Sequence, residues 1–112
     1  MNTKIVFMGS PDFATSTLQA LVKYFNVVGV VTQPDRPAGR GRKLAPPPVK
    51  KLALELGLPT MQPERLNEPE ALFQLQAWDP DLIVVAAFGQ ILRPEVLDLP
   101  PHGCLNIHAS LL

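Results

Sequence analysis

Asn106 and His108 stand two residues apart in "GCLNIHASLL", residues 103–112. On a strand that spacing puts an amide and an imidazole on one face, roughly 6.5 Å apart along the chain. Leu105 and Ile107 fall on the opposite face, and Ser110 continues the polar one. An amide that donates a hydrogen bond and an imidazole that stabilises charge can together hold a developing oxyanion. The plainer reading is a structural pair, since a lone histidine is more often structural than catalytic. No metal site is expected: His102, Cys104 and His108 have no carboxylate or second cysteine at ligand spacing. A serine nucleophile would need a G-x-S-x-G elbow, and none is present.

Charge is concentrated elsewhere. Arg36, Arg40, Arg42, Lys43, Lys50 and Lys51 lie within eighteen residues, and Asp35 is the one acid among them. That is six of the ten basic residues in the chain. A solvated basic loop would look like this, and so would an electrostatic hand for phosphates. Charge alone does not choose between them. No aromatic residue interleaves the basic ones, so base stacking is not expected. The segment Gln33–Pro48, "QPDRPAGRGRKLAPPP", has five prolines and two glycines, which predicts an irregular loop through most of its length. Loops beyond about 12–15 residues are usually functional or disordered. A mobile basic loop is therefore expected, with Asp35 shaping the Pro34-Asp35 turn.

These residues must be positioned by regular elements. "KIVFMG" (Lys4–Gly9) reads as a buried strand. Ser10, Pro11 and Asp12 suit a helix start, as cap, first position and dipole partner. Ala14, Leu18, Leu21, Val22 and Phe25 then recur at helical spacing. A strand is expected over Val27–Gln33, and a helix over Val49–Leu56 closed by Gly57. "LPTMQP" reads as a weak edge strand and Pro69–Trp78 as a helix. "DLIVVAAFG" (Asp81–Gly89) is the most apolar segment and the best candidate for a central strand. A helical turn over Leu92–Leu97 precedes the last strand.

Strands that are apolar throughout, alternating with helices, predict a doubly wound parallel sheet with right-handed crossovers. Ligands gather at the carboxyl ends of such strands. Three candidate features lie there: Gly9-Ser10, Phe88-Gly89-Gln90, and Asn106 to Ser110. Gly9-Ser10 opens onto a helix and could meet an anion. It lacks the rest of a G-x-G-x-x-G dinucleotide fingerprint.

Composition sets the outer bounds. The 112 residues fit one domain, short for a three-layer α/β architecture, and a hydrophobic fraction of 46% excludes general disorder. Ten basic residues balance ten acidic ones. One cysteine, Cys104, excludes an intrachain disulfide and suits a reducing cytoplasm. No apolar run approaches a signal peptide or a membrane span.

Four stretches, "FMGSPDFA", "TQPDRPAGRGRKLAPPPVK", "FGQIL" and "GCLNIHASLL", together resemble the formyltransferase family that uses 10-formyltetrahydrofolate. "NIHASLL" is shared across that family. The "QPDRPAGRG" loop is similar to that of its members acting on methionyl-tRNA. The resemblance implies a Rossmann-like three-layer α/β sheet. It implies formyl transfer to the α-amine of methionine on initiator tRNA, in translation initiation. It assigns Asn106 and His108 as catalytic. Phe88, Gly89, Gln90, Ile91 and Leu92, with Ser110, Leu111 and Leu112, become the folate-binding residues. Arg36, Arg40, Arg42 and Lys43 become tRNA-binding.

The resemblance further implies that residues 1–112 form the N-terminal portion of the catalytic domain, truncated after the fifth strand. A catalytic aspartate, the remaining strands and a C-terminal tRNA-binding barrel would then lie outside this chain. The 112 residues alone would transfer no formyl group. A cytoplasmic protein, monomeric at full length and without a membrane partner, is expected. Two alternatives stay open: a folate-dependent formyltransferase acting on another small amine, and a non-catalytic fragment.

Overall fold

A strand that is apolar on both faces needs cover on both, and the arrangement of this chain supplies it. The computed structural model describes residues 2–41 and 43–108. In order, the elements are β1 (Lys4–Gly9), α1 (Ala14–Tyr24), β2 (Asn26–Val31), β3 (Arg36–Ala38) and β4 (Lys43–Ala45). They continue with α2 (Pro48–Glu55), β5 (Thr60–Met61), α3 (Pro69–Trp78), β6 (Leu82–Ala86), α4 (Pro94–Leu97) and β7 (Cys104–Asn106).

Five strands make one sheet in the order β5-β2-β1-β6-β7, every pair parallel. The chain winds outward from β1 through β2 to β5, then returns to the other side of β1 with β6 and β7. This is the doubly wound topology expected. Alternate residues of each strand feed opposite faces. On one face Ile5, Phe7, Val30 and Val84 pack with Ala14 and Leu18 of α1 and with Val49 and Ala53 of α2. On the other, Val6, Met8, Val31 and Val85 pack with Ala71 and Leu75 of α3 and with Val96 of α4. The result is three layers.

Close approach shapes the second face. A Cβ on Gly29 would overlap the Trp78 ring, so the indole of α3 rests directly on the β2 backbone. At the end of the sheet remote from the strand carboxyl termini, the Asp81 carboxylate accepts the Lys4 backbone N–H at 2.8 Å.

Several boundaries differ from the sequence reading. The first helix begins at Ala14, not at Ser10-Pro11, because the Ser10 hydroxyl accepts the Gln33 backbone N–H at 2.9 Å instead of capping. The second strand ends at Val31, before Gln33, and "LPTMQP" contributes only Thr60–Met61. The strand from "DLIVVAAFG" spans Leu82–Ala86; it is internal, between β1 and β7, while β1 is the middle strand of the five. The last helical turn starts at Pro94.

The expected irregular loop is also corrected. β3 and β4 pair antiparallel as a separate two-stranded ribbon, with Arg36 opposite Ala45, Pro37 opposite Leu44, and Ala38 opposite Lys43. An isolated ribbon is all edge, so Pro37 is tolerated despite its missing N–H. Gly39 and Gly41 supply the positive φ that the tight connection needs, 69° and 82°. The prolines and glycines punctuate a hairpin rather than abolish structure.

The final strand is shorter than "GCLNIHASLL" implies: the ladder covers Cys104–Asn106. Ile107 still donates its N–H to the Val85 carbonyl at 2.7 Å. The alternation expected from sequence persists. Ile107 packs on the α1–α2 face and Cys104 on the α3–α4 face. Leu105, on the same strand face as Ile107, is 53% exposed. Ser110, Leu111 and Leu112 lie outside the described residues, as does Arg42.

Candidate functional site

Strand order reverses between β1 and β6, and their carboxyl ends border the crevice where ligands of doubly wound sheets bind. β6 ends at Ala86, and the chain turns at once through Ala87 at φ 54° and Gly89 at φ 91°. A non-glycine residue at positive φ is uncommon, and such strain concentrates at functional sites. Gly89 is required twice over. Its φ suits glycine, and a Cβ there would lie 2.7 Å from the Gln33 Nε2.

The turn brings Phe88, Gly89, Gln90, Ile91 and Leu92 to one wall of a cleft of about 470 Å³, and Asn106 and His108 to another. Residues from the ends of β6 and β7, separate in sequence, thus face one space. The parallel pairing of Val85 with Asn106 fixes this juxtaposition. Both Asn106 and His108 are exposed, so their polar groups are available to a ligand. Phe88 is buried and anchors the turn, whereas Ile91 is 90% exposed.

The Gln90 side chain is committed to the protein. Its Oε1 accepts the Leu66 N–H at 2.8 Å. Its Nε2 lies 3.1 Å from the Gln33 Oε1 and 3.1 Å from the Pro63 carbonyl. Its amide thus braces the neighbouring loop from a residue that also lines the cleft.

Phe13, Val85, Ala87, Leu97 and Ile107 also line the cleft and were not singled out in the sequence as site residues. Phe13, directly before α1, lines the cleft and is 44% exposed. An aromatic just after the first strand, outside the helical spacing, was the available signal. Ala87 was hidden inside an apolar run, where nothing marks a positive φ. Gly9-Ser10, by contrast, does not line this cleft, and the Ser10 hydroxyl is engaged by Gln33.

The basic segment forms its own surface. Residues of a ribbon alternate in facing, and cross-strand pairs share a face. The register therefore puts Arg36 and Lys43 on one face and Pro37 and Leu44 on the other, with Arg40 in the exposed connection. Lys50 leaves the cationic set, because its Nζ pairs with the Asp35 carboxylate at 3.1 Å. Asp35, expected to shape a turn, also accepts the Gln62 Nε2 at 2.6 Å.

The Gln62 hydrogen bond first, and Lys50 second, hold the Asp35 carboxyl below the ordinary aspartate range. A depressed folded-state pKa contributes stability that is present above the unfolded value and lost as pH falls through the folded one. The root of the hairpin is therefore expected to loosen only on the acid side of the usual carboxylate range. Carboxyl-detected NMR titration should put the Asp35 midpoint below that of an exposed aspartate. The Gln62→Leu variant should move it back up.

Among the described residues, no three His, Cys, Asp or Glu side chains gather to hold a metal ion. Among them too, no helix is long and apolar enough to cross a membrane.

A parallel, doubly wound five-stranded sheet with helices on both faces and a cleft at the carboxyl ends of β6 and β7 defines a class: three-layer α/β proteins of Rossmann-like topology. Within that class, the model of the formyl transferase family matches residues 3–112, and the chain belongs to that family. It is 59% identical over 110 residues to the methionyl-tRNA formyltransferase of Trichlorobacter lovleyi, covering 97% of this chain and 35% of that protein. The methionyl-tRNA formyltransferase of Clostridium perfringens is likewise 59% identical over 110 residues, with 36% of its length covered. The chain thus spans about a third of the length of these curated relatives.

Among solved structures, glycinamide ribonucleotide transformylase 1 from Geobacillus kaustophilus superposes with a TM-score of 0.71 at 21% identity. That match covers all of this chain and 61% of the other. The Symbiobacterium toebii counterpart gives 0.67 at 22% identity, covering 99% of this chain and 53% of that one. These two likenesses concern the fold.

Proposed function

We propose that these residues form the donor-binding and oxyanion-binding part of an enzyme that moves a formyl group from 10-formyltetrahydrofolate to the α-amine of methionyl initiator tRNA. The observation that carries this reading is the single cleft shared by Asn106, His108 and the Phe88–Leu92 turn. Its volume of about 470 Å³ lies within the range of small-molecule sites. Phe13, Ile91, Leu92 and Ile107 offer apolar contact there, and the turn offers backbone polar groups. This combination fits a flat heteroaromatic ring with amide-like edges. When bound, the folate supplies a formyl group on nitrogen, activated for attack by an amine.

Each residue then has a defined task. The Asn106 side-chain amide donates a hydrogen bond to the formyl oxygen as negative charge grows on it. His108 stabilises that charge and relays the proton of the attacking amine to the donor nitrogen, which leaves as its bond to the formyl carbon breaks. Gly89 and Gln90 orient the donor through their backbone. Residues 1–112 are the N-terminal portion of the catalytic domain in this reading. Ser110, Leu111 and Leu112 continue the folate contact.

The hairpin serves the other substrate. Arg36, Arg40, Arg42 and Lys43 meet the phosphates of the acceptor end, which favours a nucleic-acid-borne amine over a small free one. In the natural gene product, Arg40→Ala should raise KM for methionyl-tRNA and leave KM for the folate nearly unchanged. The slope of log affinity against log salt for tRNA should shrink by about 0.7–0.9, the release of one counterion. Equal loss of both affinities would overturn the assignment of the hairpin. Absence of formyl transfer to methionyl-tRNA, with transfer to a small amine intact, would overturn the substrate.

A further inference from the structure

The hairpin and the cleft are joined by a chain of hydrogen bonds that runs through both the backbone carbonyl and the side chain of Gln33. It begins at Asp35, immediately before β3, which holds Lys50 and the Gln62 amide. The Gln62 Nε2 also donates to the Gln33 backbone carbonyl at 3.1 Å. Gln33 in turn accepts the Gln90 Nε2 on its Oε1 at 3.1 Å. Its own backbone N–H goes to Ser10, and its side-chain amide lies against the α-carbon of Gly89. Gln90 ends the chain by holding Leu66 and the Pro63 carbonyl.

Both protons of the Gln62 amide have acceptors in this arrangement, and so do both protons of the Gln90 amide. The groups are half-buried. A shift of one member therefore breaks a bond in a place where water replaces it poorly, or it drags the next member along. Among the described residues the ribbon does not pair with the main sheet, so a tilt of the ribbon need not break the main ladder. Such a tilt is delivered to Asp35, then through Gln62 and Gln33 to the Gly89 turn.

We propose that Gln33 is a positioning residue that couples the two sites, so that a polyanion held by the hairpin and a ligand held in the cleft change each other's affinity. This rests on the reading of the hairpin and cleft as the tRNA and folate sites. By linkage, the factor is the same in both directions.

The test uses the natural gene product. Folate affinity is measured by titration calorimetry with and without saturating initiator tRNA, and tRNA affinity with and without saturating folate. The wild type should show one common factor of about fivefold or more. Gln33→Leu and Gln62→Leu, each cutting the chain at a different bond, should bring the factor to about one. Gln33→Glu, which keeps an oxygen for the Gln90 amide, should retain it. The factor is a ratio of affinities within one variant, so a uniform change in either affinity cancels.

A wild-type factor of one, with both ligands bound, would overturn the coupling and leave the functional reading standing. A factor that persists in both Leu variants would overturn the role of Gln33. Failure to bind either ligand would overturn the functional reading and the coupling with it.

Discussion

Asn106→Ala and His108→Ala are each expected to slow formyl transfer about a hundredfold in single turnover, with small changes in substrate affinity. One preorganised donor aimed at a developing oxyanion is worth on the order of 3 kcal/mol. Both side chains are exposed at the cleft, so truncation should leave the core intact and shift stability by about 0.5 kcal/mol at most. A structural pair would behave the opposite way. Thermal melts beside single-turnover rates separate the two. A variant with a lowered melting temperature and a normal rate would sink the catalytic assignment.

The largest loss of stability is expected from Phe7→Ala. Phe7 is fully buried in β1, the middle strand of the sheet, and packs against α1, α2 and β6 residues in one cluster. Hydrogen-bonded neighbours on both sides prevent β1 from shifting to fill a void. Such truncations cost about 3–5 kcal/mol, the lost transfer of the ring plus an uncollapsed cavity. Domains have only about 5–15 kcal/mol in total. The urea midpoint of the variant should therefore fall steeply with the slope unchanged. A loss under about 1 kcal/mol would mean that the sheet rearranges around β1 more freely than its pairing implies.

The candidate site was legible where its signals are local. Asn106 and His108 stood out because a period of two marks facing in a strand whatever that strand pairs with. Phe88-Gly89-Gln90 stood out because an apolar run ending in glycine marks the carboxyl end of a buried strand, whereas Ile91 and Leu92 were added only by the family resemblance. The hairpin was misread because Pro37, Gly39 and Gly41 are breakers by propensity. The same residues are acceptable in an isolated ribbon, where Pro37 sits on an edge and the two glycines occupy the turn. The capping role given to Ser10 failed for a tertiary reason: Gln33, 23 residues away, takes its hydroxyl.

The sequence by itself determined the strand and helix alternation, the amide and imidazole on one strand face, and the cationic segment, because each depends on spacing within a few residues. Tertiary structure alone decided what those features touch. Parallel pairing of Val85 with Asn106 created the shared cleft. A hydrogen bond between Gln33 and Gln90, 57 positions apart, tied the hairpin root to that cleft. Contacts at such separation leave no periodic trace, since any polar residue delivered to the same point by the fold could make them.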